Sequence, residues 1–326
     1  MIKIRGALGA LTSRRADDLQ SRRLATTILA PGDMSGKTSA AKLLQTTLGG
    51  QRRFITNADL AAFTKSAKAL GSKLRTGVTA QEIIDLSLPA DRERARQEIR
   101  SSIATRLHQG NVLFTTPSGP QSKVSRHFVT VEFPGYGSAV SYPGTVLQAA
   151  AELVKAPLWF DCDCPQHRFH HRFIVTAMGA NAGRPESGFP KLTNPTLIGV
   201  ACKHVIRTLI ELQGSMAVRK SLAKMLDASR AQLTTRAKTR VVTTTRAEAD
   251  QVLKSRVRSI KTTDERQIKV IAAGIKKVMP KASAGTSTAA ELANTIAALQ
   301  SRKDIPSQAI LQALQAVLLQ HPRTTP

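Results

Sequence analysis

Two pairs of potential metal ligands constrain this chain more than any other feature of its sequence. Cys162 and Cys164 form a Cys-x-Cys pair, and Cys202 and His204 form a Cys-x-His pair after a long spacer. The two pairs include all three cysteines of the 326-residue chain. Thiolate and imidazole ligands suit a closed tetrahedral zinc site, and three sulfurs with one nitrogen leave no position open for a substrate. The spacing therefore predicts a structural Zn²⁺ ion bound by these four residues.

The sequence around the two pairs predicts how both could reach one ion. Residues i and i+2 of a strand point to the same face, so the first pair can direct both sulfurs at one point. Alternating apolar residues over Arg168–Ala177 predict a returning strand, which places the first pair at the tip of a β-hairpin. Apolar spacing over Val205–Leu212 predicts a helix directly after the second pair. His167 is close enough to compete with His204 as the fourth ligand, whereas His171 is expected to pack in the core.

The charge of the chain points to acidic or polyanionic partners. Lys and Arg number 48 against 22 Asp and Glu, a formal net charge of +26. Double-stranded DNA is one expected partner, because neutralising its phosphates releases counterions, and acidic subunits of a large assembly are the other. The predicted DNA contacts are Lys254, Arg256, Arg258 and Lys261. Three cysteines, an odd number, argue against a disulfide framework, and no apolar stretch is long enough to predict a membrane span.

Composition and periodicity divide the chain into four regions. The range 1–110 is predicted to be a basic helical N-terminal region, and 111–213 a β-rich zinc-binding module. A basic helical segment over 214–281 and a C-terminal helical tail over 282–326 follow. The apolar face of Ser307–Gln320 calls for a partner, so we expect the chain to belong to an oligomeric assembly. The fold class is α+β, with a central zinc-stabilised β-hairpin and helix module flanked by basic helical segments.

Several elements can be predicted inside these regions. A capping box at Thr79 and Glu82 opens a helix that ends before Pro89. The four-residue spacing of Ile99, Ile103 and Leu107 predicts one helix over Asp91–His108. Further predicted elements are strands over Asn111–Thr116 and His127–Phe133, a helix over Thr56–Leu70 that Gly71 ends, and a helix over Thr145–Lys155.

Signals for catalysis are weak. The run Gly32–Thr38 is similar to a phosphate-binding loop, but Pro31 stands where that pattern requires glycine. The charged residues of Asp91–Glu98 fit the solvated face of a helix with i, i+4 ion pairs. The sequence therefore predicts a protein that is not an enzyme.

Two resemblances extend this interpretation. Trp159–Pro165, Pro190-Lys191, Asn194-Pro195 and Gly199–His204 are similar to runs in bacteriophage proteins described as virion structural proteins. This resemblance implies a particle component, made in the host cytoplasm and located in the virion, whose partners are other virion proteins. The Cys-x-Cys and Cys-x-His pairs also resemble the SWIM type of zinc motif, which implies instead a free zinc-dependent protein that binds nucleic acid.

Overall fold

The computed structural model describes residues 5–23, 25–30, 45–73, 77–120, 122–235, 241–255 and 257–278. The described helices are, in chain order, α1 (Arg5–Arg23), α2 (Asn57–Lys73), α3 (Ala80–Leu86), α4 (Pro89–Glu98), α5 (Tyr136–Val140), α6 (Val146–Lys155), α7 (Arg172–Ala177), α8 (Lys203–Gly214), α9 (Met216–Thr235), α10 (Arg246–Lys254) and α11 (Thr263–Val278). The strands are β1 (Gln45–Thr46), β2 (Arg53–Phe54), β3 (Ile103–His108), β4 (Asn111–Pro117), β5 (Arg126–Glu132), β6 (Trp159–Cys162) and β7 (Val242–Thr243). A one-turn π-helix spans His167–His171. The run Gly32–Thr38 and the tail 282–326 lie outside the described residues.

A five-stranded antiparallel sheet, in the order β6-β5-β4-β3-β7, lies within the first compact unit, Met1–Ile260. β4 pairs with β5 along the whole length of both strands, which confirms the two strands predicted there. Their β-branched and aromatic side chains, such as Val112, Phe114 and Val129, are buried, as is typical of a sheet that packs on a core. Two strands of this sheet come from outside the range 111–213 that was predicted to be β-rich: β3 precedes it in the sequence and β7 follows it. Helices and an antiparallel sheet together agree with the predicted α+β class.

The single helix predicted over Asp91–His108 is wrong. Helix α4 ends at Glu98, and β3 begins at Ile103 and pairs with both β4 and β7. Gln109 and Gly110 form the turn between β3 and β4, with φ angles of 46° and 80°. Positive φ at both central residues is characteristic of the type I′ turn, whose twist matches that of a two-residue hairpin. The apolar spacing suited a helix, but pairing across this tight turn makes the second half of the stretch a strand.

The strand predicted over Arg168–Ala177 is also wrong, because this stretch is helical. The π-helical turn leads directly into α7, so no β-hairpin forms after β6. The alternation of apolar residues suggested the two-residue period of a strand, but the stretch has the period of a helix. The buried histidine and apolar side chains recur at helical spacing, namely His167, His171, Ile174, Val175 and Met178, and Arg172 is buried beside them.

Helix α8 runs through the core. Every residue from Lys203 to Leu212 is buried, and the helix contacts helices α3, α4, α6 and α9 and strands β4, β5 and β6. Its polar Thr208 stays satisfied there, because its hydroxyl lies 2.8 Å from that of Ser102 and 3.4 Å from that of Thr116. A buried hydroxyl without a partner would cost about 1–3 kcal/mol. The helix predicted over Val205–Leu212 is confirmed and begins two residues earlier.

Several helices begin with a capping box, in which a threonine and a residue three positions later bond to each other's backbone. The pairs are Thr79 with Glu82 in α3, Thr145 with Gln148 in α6, and Thr245 with Glu248 in α10. The predicted starts of α3 and α6 are therefore confirmed. Thr56 and Asp59 also bond at the start of α2, but Gly71 does not end that helix, which continues to Lys73.

Helix α1 is attached to the rest of the first unit mainly through ion pairs. Leu11 is buried in a small cluster, but most of the described side chains of α1 are exposed. The buried carboxylate of Asp18 lies 2.7 Å from Arg172 Nη1 and 3.0 Å from Arg168 Nε. Further ion pairs join Arg14 to Asp163 and Arg22 to Glu186. Electrostatic contacts therefore position this helix.

The second unit begins at Lys261, and its described element is α11. At the start of this helix, the backbone N–H of Thr262 donates to Glu265 (3.0 Å), and the N–H of Glu265 donates to the Thr262 hydroxyl (3.2 Å). Across the described ranges, no helix has the length and apolar composition needed to cross a bilayer.

We expect the Asp18→Asn substitution to loosen α1. Arg172 is 3% exposed, and without the Asp18 carboxylate its charge is compensated by Asp161 alone. Removing one partner of a buried ion pair should lower the free energy of unfolding by roughly 3 kcal/mol, measured by urea denaturation. Asp17→Asn is the matched control, because Asp17 is the exposed neighbour on the same helix. Equal effects of the two substitutions would contradict the ionic attachment of α1.

Candidate metal centre

Two distant segments supply the four predicted ligands. β6 pairs with β5 and places Cys162 opposite Val129, and Cys164 lies in the bend that follows the strand. Cys202 is the N-cap residue of α8, and His204 lies in the first turn of that helix. The first pair therefore sits where an extended chain ends, and the second where a buried helix begins.

The four side chains meet at one buried point. One ligand atom from each residue lies within 4.8 Å of the others, and Cys202 Sγ is 3.9 Å from His204 Nδ1. Two sulfurs bound to one tetrahedral zinc ion at about 2.3 Å lie about 3.8 Å apart. The exposed fraction of each side chain is 3% or less. The cluster of Cys162, Cys164, Cys202 and His204 can therefore hold a metal ion.

The cysteines differ in their acidity. Burial, together with hydrogen bonds to Cys164 and Cys202, raises the pKa of the Cys162 thiol well above its ordinary value. Burial alone would also raise the pKa of Cys202, but the thiols of Cys162 and Cys164 and the backbone amides of Val205 and His204 hold it well below that value. Amides at a helix start favour the thiolate, which is the form that binds a metal.

His167 does not join the cluster. Its Nε2 lies 3.2 Å from the Asp161 carboxylate, while its backbone N–H donates to Cys164 Sγ at 3.3 Å. Burial opposes ionisation of Asp161, but the close contact with His167 and the charge of Arg172 lower its pKa to about 2. His171 is buried, as predicted, and its Nδ1 lies 3.4 Å from the carbonyl oxygen of Gly199. The structure therefore places His204, and not His167, beside the three sulfurs.

A carboxylate between the first two cysteines organises the surroundings of the cluster. Asp163 Oδ1 lies 2.9 Å from His127 Nδ1 and accepts the backbone N–H of Phe128 at 2.9 Å, while Oδ2 accepts from Arg14. The ring centroids of His127 and His204 are 4.5 Å apart. Burial alone would raise the pKa of Asp163, but His127 and Arg14 hold it below its ordinary value. Sequence reasoning missed His127 and Asp163, although the central residue of Cys-x-Cys was a signal for the latter.

A cleft of about 480 Å³ lies beside the cluster. Cys164 and His204 form part of its wall, together with His127. At its rim, Lys203 and Arg94 both pair with the carboxylate of Glu98, so these two cations are already neutralised in part. The cluster is thus shielded from solvent but has one side near open space.

The four predicted DNA contacts lie in different settings. Lys254 is exposed at the end of α10, whereas Arg256 lies outside the described residues. Arg258 Nη1 lies 2.6 Å from the carboxylate of Glu211, which is 2% exposed. Lys261 is partly buried and belongs to the second unit. Arg258 therefore anchors its own segment to α8 and is only partly available to a partner.

The structure thus brings the four predicted metal ligands together and gives at least one of the predicted DNA contacts an internal role. No protein-family model, curated protein or solved structure matches the chain.

Substitution of His204 should abolish metal binding, while substitution of His167 should preserve it. We expect His204→Asn to lower metal affinity by more than about 100-fold, because loss of an outer-shell partner alone costs 10–100-fold. His167→Asn is the matched control, since His167 is also buried and its backbone N–H contacts Cys164 Sγ, but its ring faces Asp161. Elemental analysis of the purified chain after dialysis measures the metal content. Loss of metal in His167→Asn with retention in His204→Asn would assign the fourth ligand to His167.

We also expect Arg258→Ala to destabilise the chain. The substitution leaves the buried carboxylate of Glu211 without its hydrogen-bonded cation, which should cost roughly 2 kcal/mol. Urea denaturation gives the change in the free energy of unfolding. Lys254→Ala removes the same charge from an exposed position and should change stability by less than about 0.5 kcal/mol. Similar losses in the two variants would show that the Glu211 pair contributes no stability.

Proposed function

We propose that this chain is a non-enzymatic structural protein of a bacteriophage particle, fastened at its centre by a structural zinc ion. The observation that carries the proposal is the buried cluster of three sulfurs and one imidazole nitrogen, which joins the end of β6 to the start of α8. A metal bound there would tie together two segments that are distant in the sequence.

The donor set favours zinc. Soft thiolates with one imidazole are typical of structural Zn²⁺ sites, whereas magnesium and calcium prefer oxygen ligands. Four protein ligands complete the tetrahedron, so a bound ion would have no open position for substrate or water. Binding of structural zinc contributes about 10–16 kcal/mol in small peptides. This is as large as the roughly 5–15 kcal/mol net stability of a typical domain.

The residues that resemble phage virion proteins are those that build the cluster and support it. Trp159–Pro165 contains β6 and the first ligand pair, and Gly199–His204 leads into α8 with the second. Between them, Asn194 Nδ2 donates to the carbonyl oxygens of His170 (3.1 Å) and Ile198 (2.8 Å). Asn194 thus connects the segment that follows the first ligand pair with the segment that precedes the second. The resemblance therefore concerns the segments that form the cluster and the contacts around it, which supports a role in the particle.

The charge supports the choice of partners. At +26 the chain favours contact with packaged double-stranded DNA or with acidic subunits among the other virion proteins. The second candidate is a free SWIM-type zinc protein that binds nucleic acid. It is favoured by the assembly of the Cys-x-Cys and Cys-x-His pairs into one cluster.

Purified particles test the first function against the second. We expect mass spectrometry of particles, after nuclease treatment and density-gradient purification, to find the chain in a fixed ratio to other particle proteins. Zinc should be present at one ion per copy. A chain found in the lysate but absent from particles would exclude the structural role and favour the free nucleic-acid-binding protein.

A further inference from the structure

A second cleft, of about 250 Å³, lies between α1, the π-helical turn with α7, and the segment 182–184. The buried carboxylates of Asp18, Asp161 and Asp163 line it. The guanidinium groups that line it belong to Arg14, Arg15, Arg168, Arg172 and Arg184. Five cations thus face three carboxylates, and the cleft has an excess of two positive charges.

The arginines of this cleft fall into two groups. Arg168 and Arg172 are largely buried and bind Asp18, and Arg14 binds Asp163, so these three arginines hold α1 in place. Arg15 is exposed, and its side chain makes no hydrogen bond or ion pair with any described residue. Burial raises the pKa of Asp161, and the effects of His167 and Arg172 lower it. The charge of Arg15 makes a smaller contribution that also lowers this pKa. Arg184 is 35% exposed and lies 3.5 Å or more from its carboxylate partners. Arg15 and Arg184 therefore retain most of their capacity to donate hydrogen bonds.

The backbone keeps Arg184 close to the buried carboxylate of Asp161. A Cβ atom at Gly183 would collide with the carboxylate of Asp161, so the segment 182–184 can lie against that side chain only with glycine at this position. Asn181 Nδ2 donates to the carbonyl oxygen of Arg184 at 3.0 Å and fixes the same segment. Arg184 is therefore held in a segment that lies against Asp161, in the cleft that Arg15 of α1 also lines.

We propose that this cleft binds a phosphate group of a nucleic-acid backbone, with Arg15 and Arg184 as its direct contacts. Guanidinium forks match phosphate oxygens with paired hydrogen bonds. The buried carboxylates fix Arg14, Arg168 and Arg172. The excess positive charge, on Arg15 and Arg184, remains for the anion. The inference deepens the proposed contact with DNA and rests on it, and it locates that contact on α1 and the segment 182–184 instead of residues 254–261.

Salt-dependent DNA binding by the full chain tests the assignment. The affinity for a short duplex is measured between 50 and 200 mM salt for the wild type, Arg15→Gln and Arg100→Gln. Arg100 is the matched control, because it is exposed and lies outside the cleft. Loss of one phosphate contact should weaken binding about tenfold at low salt and reduce the slope of log affinity against log salt by about 0.9. We expect this loss for Arg15→Gln, and a much smaller one for Arg100→Gln.

Competition identifies the anion. Inorganic phosphate should displace DNA from the wild type more strongly than chloride at the same ionic strength, and this difference should disappear in Arg15→Gln. Displacement by polyglutamate without displacement by phosphate would overturn the proposal in favour of an acidic protein. Phosphate binding that depends on Arg15, with DNA binding that does not, would assign the cleft to a free phosphate compound and overturn the nucleic-acid source.

The outcomes also separate this inference from the proposed function. Equal losses in Arg15→Gln and Arg100→Gln would overturn the cleft as the contact while leaving DNA as a partner. No binding of the wild type to DNA at 50 mM salt would overturn both the cleft assignment and the proposed DNA contact. Arg184→Gln provides an independent second variant, for which we expect the same direction of change as for Arg15→Gln.

Discussion

The meeting of β6 with the first turn of α8 is the contact on which the rest of the first unit depends. α8 is buried from Lys203 to Leu212 and touches four helices and three strands, so a small change in its direction would disturb packing on every side. Its N-terminus is set by Cys202 and His204, which lie against Cys162 and Cys164. The chain between the two pairs must close a long loop, which costs conformational entropy. A metal ion at this point would offset that cost where the core is most sensitive to it.

The side chains around the cluster connect it to α1. Asp161 and Asp163 stand on either side of Cys162 in the sequence, and each leads to this helix: Asp163 through Arg14, and Asp161 through Arg172 and Asp18. These contacts also explain why arginine content alone is a poor measure of a surface that attracts DNA. Arg172 is committed to α1 and Asp161, and Arg230 donates to several backbone carbonyls near α5, including Val140 and Tyr142. Some of the cations counted in the formal charge of +26 therefore make contacts within the protein and are less available to a partner.

The sequence was most informative where one local rule determined the structure. The capping box at Thr79 and Glu82 placed the start of α3, and the spacing of the four ligands indicated the cluster without any knowledge of the loop between them. It was least informative where two periods competed. Ile99, Ile103 and Leu107 fit a helix, yet pairing with β4 across Gln109 and Gly110 made the second half a strand. The stretch after Cys164 alternates like a strand but buries one helical face. The role of Asp163 and the attachment of α1 depend on contacts between distant residues, which no local pattern contains.

The placement of the cysteines has a consequence for how copies of the chain can associate. All three thiols lie in the cluster, and none is more than 2% exposed. The folded chain therefore presents none of its three cysteine thiols for disulfide formation with a neighbouring molecule when the surroundings become oxidising. Disulfides between copies of this protein would require the core around α8 to open first, because the thiols lie where that helix begins.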